Sequence, residues 1–333
     1  MRRFVLFLLV CGVILAAALH YLVRVERHAG FAEPVFIDIP RGTPMVEIGR
    51  RLEAAGVVRH AALFLAARLP NPRLYPQAGE YRFAEPATPH EVYLRIARGD
   101  VYLIEMVVPE GSDAFDLAAL VAQAGFASEQ DFLPLALANE GYLFPSKYRF
   151  PRRTTGAEVA AAMRRQFDRV WSEIAPGEPS RATVTLASLV EKEAVLADER
   201  TRIAGVFSNR LRLGMKLQCD PTAVYAARLA GVWRGTIYRS DLDRAHPYNT
   251  YHAAGLPPGP IANPGRASLE AALHPLETED LYFVAAPDGS GAHIFSKDYD
   301  AHERAVSEYR RGQQDQPQGN GSRPRGGAAA GSR

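Results

Sequence analysis

The segment Thr183-Val-Thr-Leu-Ala-Ser-Leu-Val-Glu-Lys-Glu-Ala194 carries two carboxyl groups at the end of a strong helix former. Leu186, Leu189, Val190 and Glu193 fall at i, i+3, i+4 and i+7, one stripe of a helix. Three of them are core residues and the fourth is an acid. Glu191 stands about 200° round the same helix and faces elsewhere. Burial disfavours the charged form of a carboxyl and raises its pKa. A glutamic acid protonated near neutral pH is what general acid catalysis needs. The structural reading of the same spacing is a carboxylate at the stripe's edge, paired with Arg200, Arg202 or another cation. Ser188 and Lys192 are at i, i+4, whereas the Ser-x-x-Lys dyad of serine acyltransferases needs i, i+3, so that chemistry fails on spacing. The nine histidines show no metal-ligand spacing, and no Gly-rich phosphate loop follows a strand. No metal and no cofactor is expected.

Polar, Gly/Pro-rich stretches cluster downstream: Phe207-Ser-Asn-Arg-Leu211, Met215-Lys-Leu-Gln-Cys-Asp-Pro-Thr222, Pro247-Tyr-Asn-Thr-Tyr251 and Gly255 to Gly265. Gln218, Asp220, Tyr248, Asn249 and Tyr251 offer hydrogen bonds and stacking faces for a polyhydroxyl, acetamido-bearing ligand. Prolines fix these loops with little entropy left to lose. Four aromatics between Tyr142 and Phe150, on a loop opened by Glu140-Gly141, suggest either a sugar-stacking subsite or a packed loop joining two helices.

These residues must be held by a chain of 333 residues, room for about two domains. It is 47% apolar and 23% charged, which supports a sizeable core and excludes disorder as the main state. The net charge of +2, from 39 basic and 37 acidic residues, argues against a nucleic-acid binder working by bulk charge. Two cysteines, Cys11 and Cys219, exclude a disulfide scaffold and a zinc ribbon. An apolar run from Phe4 to Val23 follows Arg2 and Arg3, long enough for a transmembrane anchor over residues 1–23 with the amino end in the cytoplasm. A cleaved signal peptide is the competing reading. Both send the remainder out of the cytoplasm. Residues 312–333 contain no large apolar side chain and are expected to be a disordered tail.

An internal echo follows the anchor. Ile39-Pro-Arg-Gly-Thr43 and Val108-Pro-Glu-Gly-Ser112 each precede an apolar helical pattern and an Ala-Gly stop, with Thr43 and Ser112 placed to cap the helices. A third helix over about Pro89 to Ala97 and a strand over Val101 to Val108 complete a small α+β module at residues 34–108. This order resembles the LysM-type module, which implies either glycan contact or a spacer that holds the next domain off the membrane. A mixed α/β domain at 109–311, with the acid on a helix, completes an α+β chain.

Six motifs occur in order: Leu186-Ala-Ser-Leu-Val-Glu-Lys-Glu193, Val206-Phe-Ser-Asn-Arg-Leu211, Gly214-Met-Lys-Leu-Gln-Cys-Asp-Pro-Thr222, Tyr248-Asn-Thr-Tyr251, Gly255-Leu-Pro-Pro-Gly259 and Ala272-Leu-His-Pro275. Together they resemble the endolytic murein transglycosylase (YceG-like) family, over about Pro34 to Tyr309. The resemblance implies that Glu193, the second acid of Glu-Lys-Glu, is the catalytic acid/base. It implies cleavage of the β-1,4 bond between N-acetylmuramic acid and N-acetylglucosamine inside nascent peptidoglycan strands, leaving 1,6-anhydro ends and ending strand elongation. The implied partners are glycan strands, the membrane through the first helix, and peptidoglycan synthases. The implied location is the plasma (inner) membrane, single-pass, with the carboxy-terminal domain on the extracytoplasmic side. Ser146 and Lys147 depart from the family's Asp-Thr after the Leu-Phe-Pro of the aromatic loop, and Cys219 stands where the family often has Thr. Two other functions fit parts of the pattern. One is a non-catalytic glycan-binding scaffold. The other is a hydrolysing muramidase with Asp220 or Asp241 as a second carboxylate.

Overall fold

The computed structural model describes residues 1–315 and resolves into two compact units, Met1–Ile104 and the chain from Glu105 on. The first unit begins with α1 (Arg2–Arg24), 23 residues long and apolar enough to cross a membrane. Its side chains are exposed except at the last turn, where Val23 joins the unit's core. There follow β1 (Val35–Ile39), α2 (Met45–Ala54), α3 (Ala61–Ala66), β2 (Gly79–Phe83) and α4 (Pro89–Arg98). The two strands pair antiparallel, Val35 opposite Phe83 and Ile39 opposite Gly79. Period-two alternation turns Ile37, Ile39, Tyr81 and Phe83 inward and Asp38 and Arg82 outward. The inward residues pack on Ile48 and Leu52 of α2, Phe64 of α3 and Val92, Tyr93 and Ile96 of α4. A Thr88–Glu91 capping box with Pro89 in the first turn starts α4, and left-handed Gly99 stops it.

The second unit runs β3 (Ile104–Val107), α5 (Ala114–Gln123), α6 (Glu129–Ala138), β4 (Lys147–Phe150), α7 (Gly156–Ile174), α8 (Arg181–Glu193), α9 (Arg200–Arg212), α10 (Asp220–Leu229), α11 (Arg239–Leu242), α12 (Arg266–Leu273), β5 (Tyr282–Ala285), β6 (His293–Ser296) and α13 (Tyr299–Asp315). It is helical, with β3–β4 and β5–β6 as two-stranded sheets. Thus helices dominate the second unit, mixed with two short two-stranded sheets, within a chain that is α+β as a whole. The helix α8 lies at its centre, packed by α9, α10 and α12. The serine hydroxyl of Ser180 accepts the Thr183 amide at 3.0 Å and starts α8.

Three local expectations need correction. The strand placed at Val101 to Val108 is confined to Ile104–Val107 and pairs with β4, so it opens the second unit instead of closing the first. Thr43 and Ser112 do not cap helices. Each hydroxyl donates back to a proline carbonyl three residues earlier, Pro40 at 2.8 Å and Pro109 at 2.7 Å, and closes the Pro-x-Gly turn. The capping box of α5 belongs one residue later, to Asp113 with Asp116. The aromatic loop is a packed joint: Leu143, Phe144, Tyr148 and Phe150 are buried, Tyr148 stacks on Phe150, and Tyr142 packs edge-on against Phe167. The expected tail is helical to Asp315, and the rest of it lies outside the described residues.

Candidate active site

Glu193 is the last residue of α8 and is 8% exposed. Desolvation, followed by the nearby negative charge of Asp220, pushes its pKa up to about 7. The carbonyl end of the helix adds to the cost of a negative charge there. Two neighbours act the other way: the Cys219 thiol donates a hydrogen bond to the carboxylate, and the guanidinium of Arg210 attracts it. Glu191 faces elsewhere, as its position round the helix predicts. Its carboxylate accepts the Gly265 amide at 3.0 Å, at the start of α12. The hydroxyl of Ser188 is engaged with the Thr185 carbonyl and the Ile261 amide, which leaves no dyad with Lys192.

Two loops meet at the end of α8. The Gln218 amide donates to the Thr250 carbonyl, and the Cys219 amide donates to the Thr250 hydroxyl at 3.0 Å. The Thr222 and Thr250 hydroxyls are 2.9 Å apart, and Thr222 also accepts the Thr250 amide. Gln218 takes a left-handed backbone, φ 50°, the one positive φ outside glycine among the described residues. That turn delivers Cys219 beside Glu193 and sets Asp220 at the opening of α10. The Tyr251 hydroxyl donates to the Asp220 carboxylate. Below them Arg210 is 2% exposed, its guanidinium bound to the carbonyls of Leu281, Lys216 and Leu217.

Of the residues predicted from sequence, Glu193, Asp220 and Tyr251 are therefore brought together, with Gln218 on the turn that joins them. Tyr248 is not part of this group. Its ring packs 5.1 Å from Tyr225, and it hydrogen-bonds Arg181 at the opposite end of α8, about 18 Å from Glu193 along the helix axis. Asn249 must be corrected. It is fully buried, its amide NH2 bonds the carbonyls of Asp241, Leu242 and Arg244, and its oxygen accepts the Tyr251 amide. With donors and acceptor both engaged it shapes the loop and has no group left for a glycan. Asp241 is likewise buried as the cap of α11, accepting the Tyr238 amide and paired with Arg234.

Sequence reasoning missed Arg210, Cys219 as a donor, and Glu140. Arg210 was legible by the rule that found Glu193, because Ile203, Val206, Phe207 and Arg210 also stand at i, i+3, i+4 and i+7. Glu140 is buried and pushed up to about 8 by desolvation, against the pull of the Ala114 amide and the Tyr225 hydroxyl, and the Asn263 NH2 also donates to it at 2.9 Å. No sequence spacing links those four positions. Among the described residues no cluster of His, Cys, Asp or Glu could hold a metal ion.

The YceG-like family matches residues 37–308. An endolytic murein transglycosylase of Bacillus subtilis (strain 168) is 32% identical over 309 residues, spanning 83% of this chain and 84% of the relative. An endolytic murein transglycosylase of Streptococcus pneumoniae serotype 2 (strain D39 / NCTC 7466) is 29% identical over 321 residues, of which the alignment covers 58% of the relative's length. The crystal structure of a yceG-like protein from Listeria monocytogenes superposes with a TM-score of 0.52 at 29% identity, covering 82% of this chain and 99% of that one. With these motifs, this fold and a family match over most of its length, the chain belongs to the YceG-like family.

Proposed function

We propose that this protein is a membrane-anchored endolytic lytic transglycosylase of peptidoglycan, with Glu193 as its acid/base. The names of its relatives supply the reaction class. The observation that carries the residue is a buried carboxyl at the end of α8, held near neutral pKa beside Asp220. One carboxyl suffices for this chemistry. Protonated Glu193 gives its proton to the glycosidic oxygen as the bond from C1 of N-acetylmuramic acid breaks. The carboxylate then takes the proton of the muramyl 6-hydroxyl, whose oxygen attacks C1 and closes a 1,6-anhydro ring. Proton and electron pair balance, and no water enters. Arg210 and the Cys219 thiol stabilise the carboxylate in that second half. Gln218, Asp220 and Tyr251 are the glycan contacts nearest the acid, and Tyr248 is a more distant subsite.

The helix α1 is read as a single-pass anchor in the plasma membrane, with both units outside the cytoplasm and acting on strands made by peptidoglycan synthases. The βααβ order of the first unit supports a LysM-like module, a spacer or a glycan contact. The test is mass spectrometry of peptidoglycan digested by the full chain beside Glu193→Gln. Anhydro-muramyl products from the parent, falling about 10²–10⁴-fold in the variant, are expected. Reducing muramic ends would instead establish hydrolysis. Equal anhydro products from both proteins would move the acid to another carboxyl.

A further inference from the structure

The first unit is seated on the end of α1. Val23 is buried in its core, and α1 packs against α3 and α4. His90, in the first turn of α4, hydrogen-bonds the Ala67 backbone just past α3 and lies within electrostatic reach of Arg24. The loop that leaves Ala67, residues 68–77, therefore starts beside the point where α1 ends. It carries Leu69 at 72% exposure, Tyr75 at 63% and Leu74 at 38%.

That exposure is not slack. The Tyr93 hydroxyl donates to the Leu74 carbonyl at 2.6 Å, and the Gln77 amide to the Ile96 carbonyl at 3.0 Å. The guanidinium of Arg68 bonds the Pro72 carbonyl and lies 5.0 Å from the Tyr75 ring centroid. Pro70, Pro72 and Pro76 stiffen the path further. Water is a poor partner for two leucines and a tyrosine held outward on a fixed loop. An interfacial lipid layer suits them, since Tyr sits at headgroup depth, Leu enters the acyl boundary, and Arg reaches phosphate.

We propose that loop 68–77 inserts into the lipid headgroup layer of the bilayer that α1 crosses, Leu69 and Tyr75 inward, Arg68 and Arg73 on lipid phosphates. This rests on the reading of α1 as a membrane span. The loop would then fix the tilt of the first unit against the membrane, a second point of contact besides the helix.

Full chain in lipid nanodiscs tests it, with a bimane probe on Leu69→Cys or Tyr75→Cys in a Cys11→Ser background. Cys219 is buried and stays unlabelled. Lipids carrying a shallow acyl-chain nitroxide should quench both loop probes several-fold more than aqueous iodide does. The parent chain labelled at Cys11, inside α1, is the companion measurement, quenched by a nitroxide deep in the acyl chain. Loop probes open to iodide and silent to lipid, with Cys11 quenched, would overturn the loop's insertion and leave the anchor standing. Loop probes shielded from both quenchers would overturn it in favour of a protein partner. A silent Cys11 would bring down the anchor and the insertion together.

Discussion

The pKa of Glu193 is set by opposing neighbours, and each can be removed alone. Burial and Asp220 raise it to about 7; the Cys219 thiol and Arg210 lower it. A general acid must carry its proton at the start of the reaction. The protonated fraction falls as pH rises through the pKa, so kcat/KM should decline above about pH 7. Asp220→Asn removes a negative neighbour and makes ionisation easier, which should move that descending limb to lower pH. Cys219→Val removes the donor that favours the carboxylate and should move it to higher pH. Cys219→Ser keeps a donor and should stay near the parent. Shifts of opposite sign are the signature, because a merely structural loss would lower the rate without moving the limb in either chosen direction. A limb that stays put in both Asp220→Asn and Cys219→Val would mean that another group supplies the proton.

At the scale of elements, Glu140 shows how the second unit is tied. Its carboxylate receives the Ala114 amide at 2.8 Å, the Tyr225 hydroxyl at 2.9 Å and the Asn263 NH2 at 2.9 Å. It thereby joins the start of α5, the middle of α10 and the loop before α12. Asn263 is fixed in that orientation, since its oxygen accepts the Leu143 amide. Above about pH 8, where Glu140 is ionised, Glu140→Gln replaces an acceptor with an NH2 that faces a donor and leaves at least one buried group unsatisfied. A loss of about 1–3 kcal/mol in denaturant unfolding is expected, with product chemistry unchanged. A variant as stable as the parent would show that the network is dispensable. This kind of tie explains where sequence reading stopped. The helix α8 and its buried Glu193 were legible because the apolar period is local. The aromatic loop stayed open between two readings because Tyr and Phe serve a glycan or a core equally well, and only the position of Phe167 decides. The caps slipped by one residue because the hydroxyls of Thr43 and Ser112 had a nearer acceptor in their own turn.

At the scale of the whole chain, the residues proposed to do the chemistry and the helix proposed to cross the membrane belong to different units. Glu193, Cys219, Asp220, Arg210 and Tyr251 all lie in the unit from Glu105 on, whereas α1 and its buried Val23 lie in the other. The anchor should therefore act on substrate encounter and not on bond cleavage. A tethered enzyme meets membrane-attached strands at an effective concentration set by the tether, a gain that no contact at the site provides. Removal of residues 1–22 keeps Val23 and every residue of the site. The shortened protein should leave the membrane fraction, digest soluble glycan strands at the parent rate and still produce anhydro ends. On nascent strands held at a bilayer its rate should fall well below that of the parent. The comparison needs one enzyme preparation in each form and two substrates, read by the same mass spectrometry. An equal loss on both substrates would mean that α1 supports the site itself; no loss on either would mean that the helix gives no advantage of place.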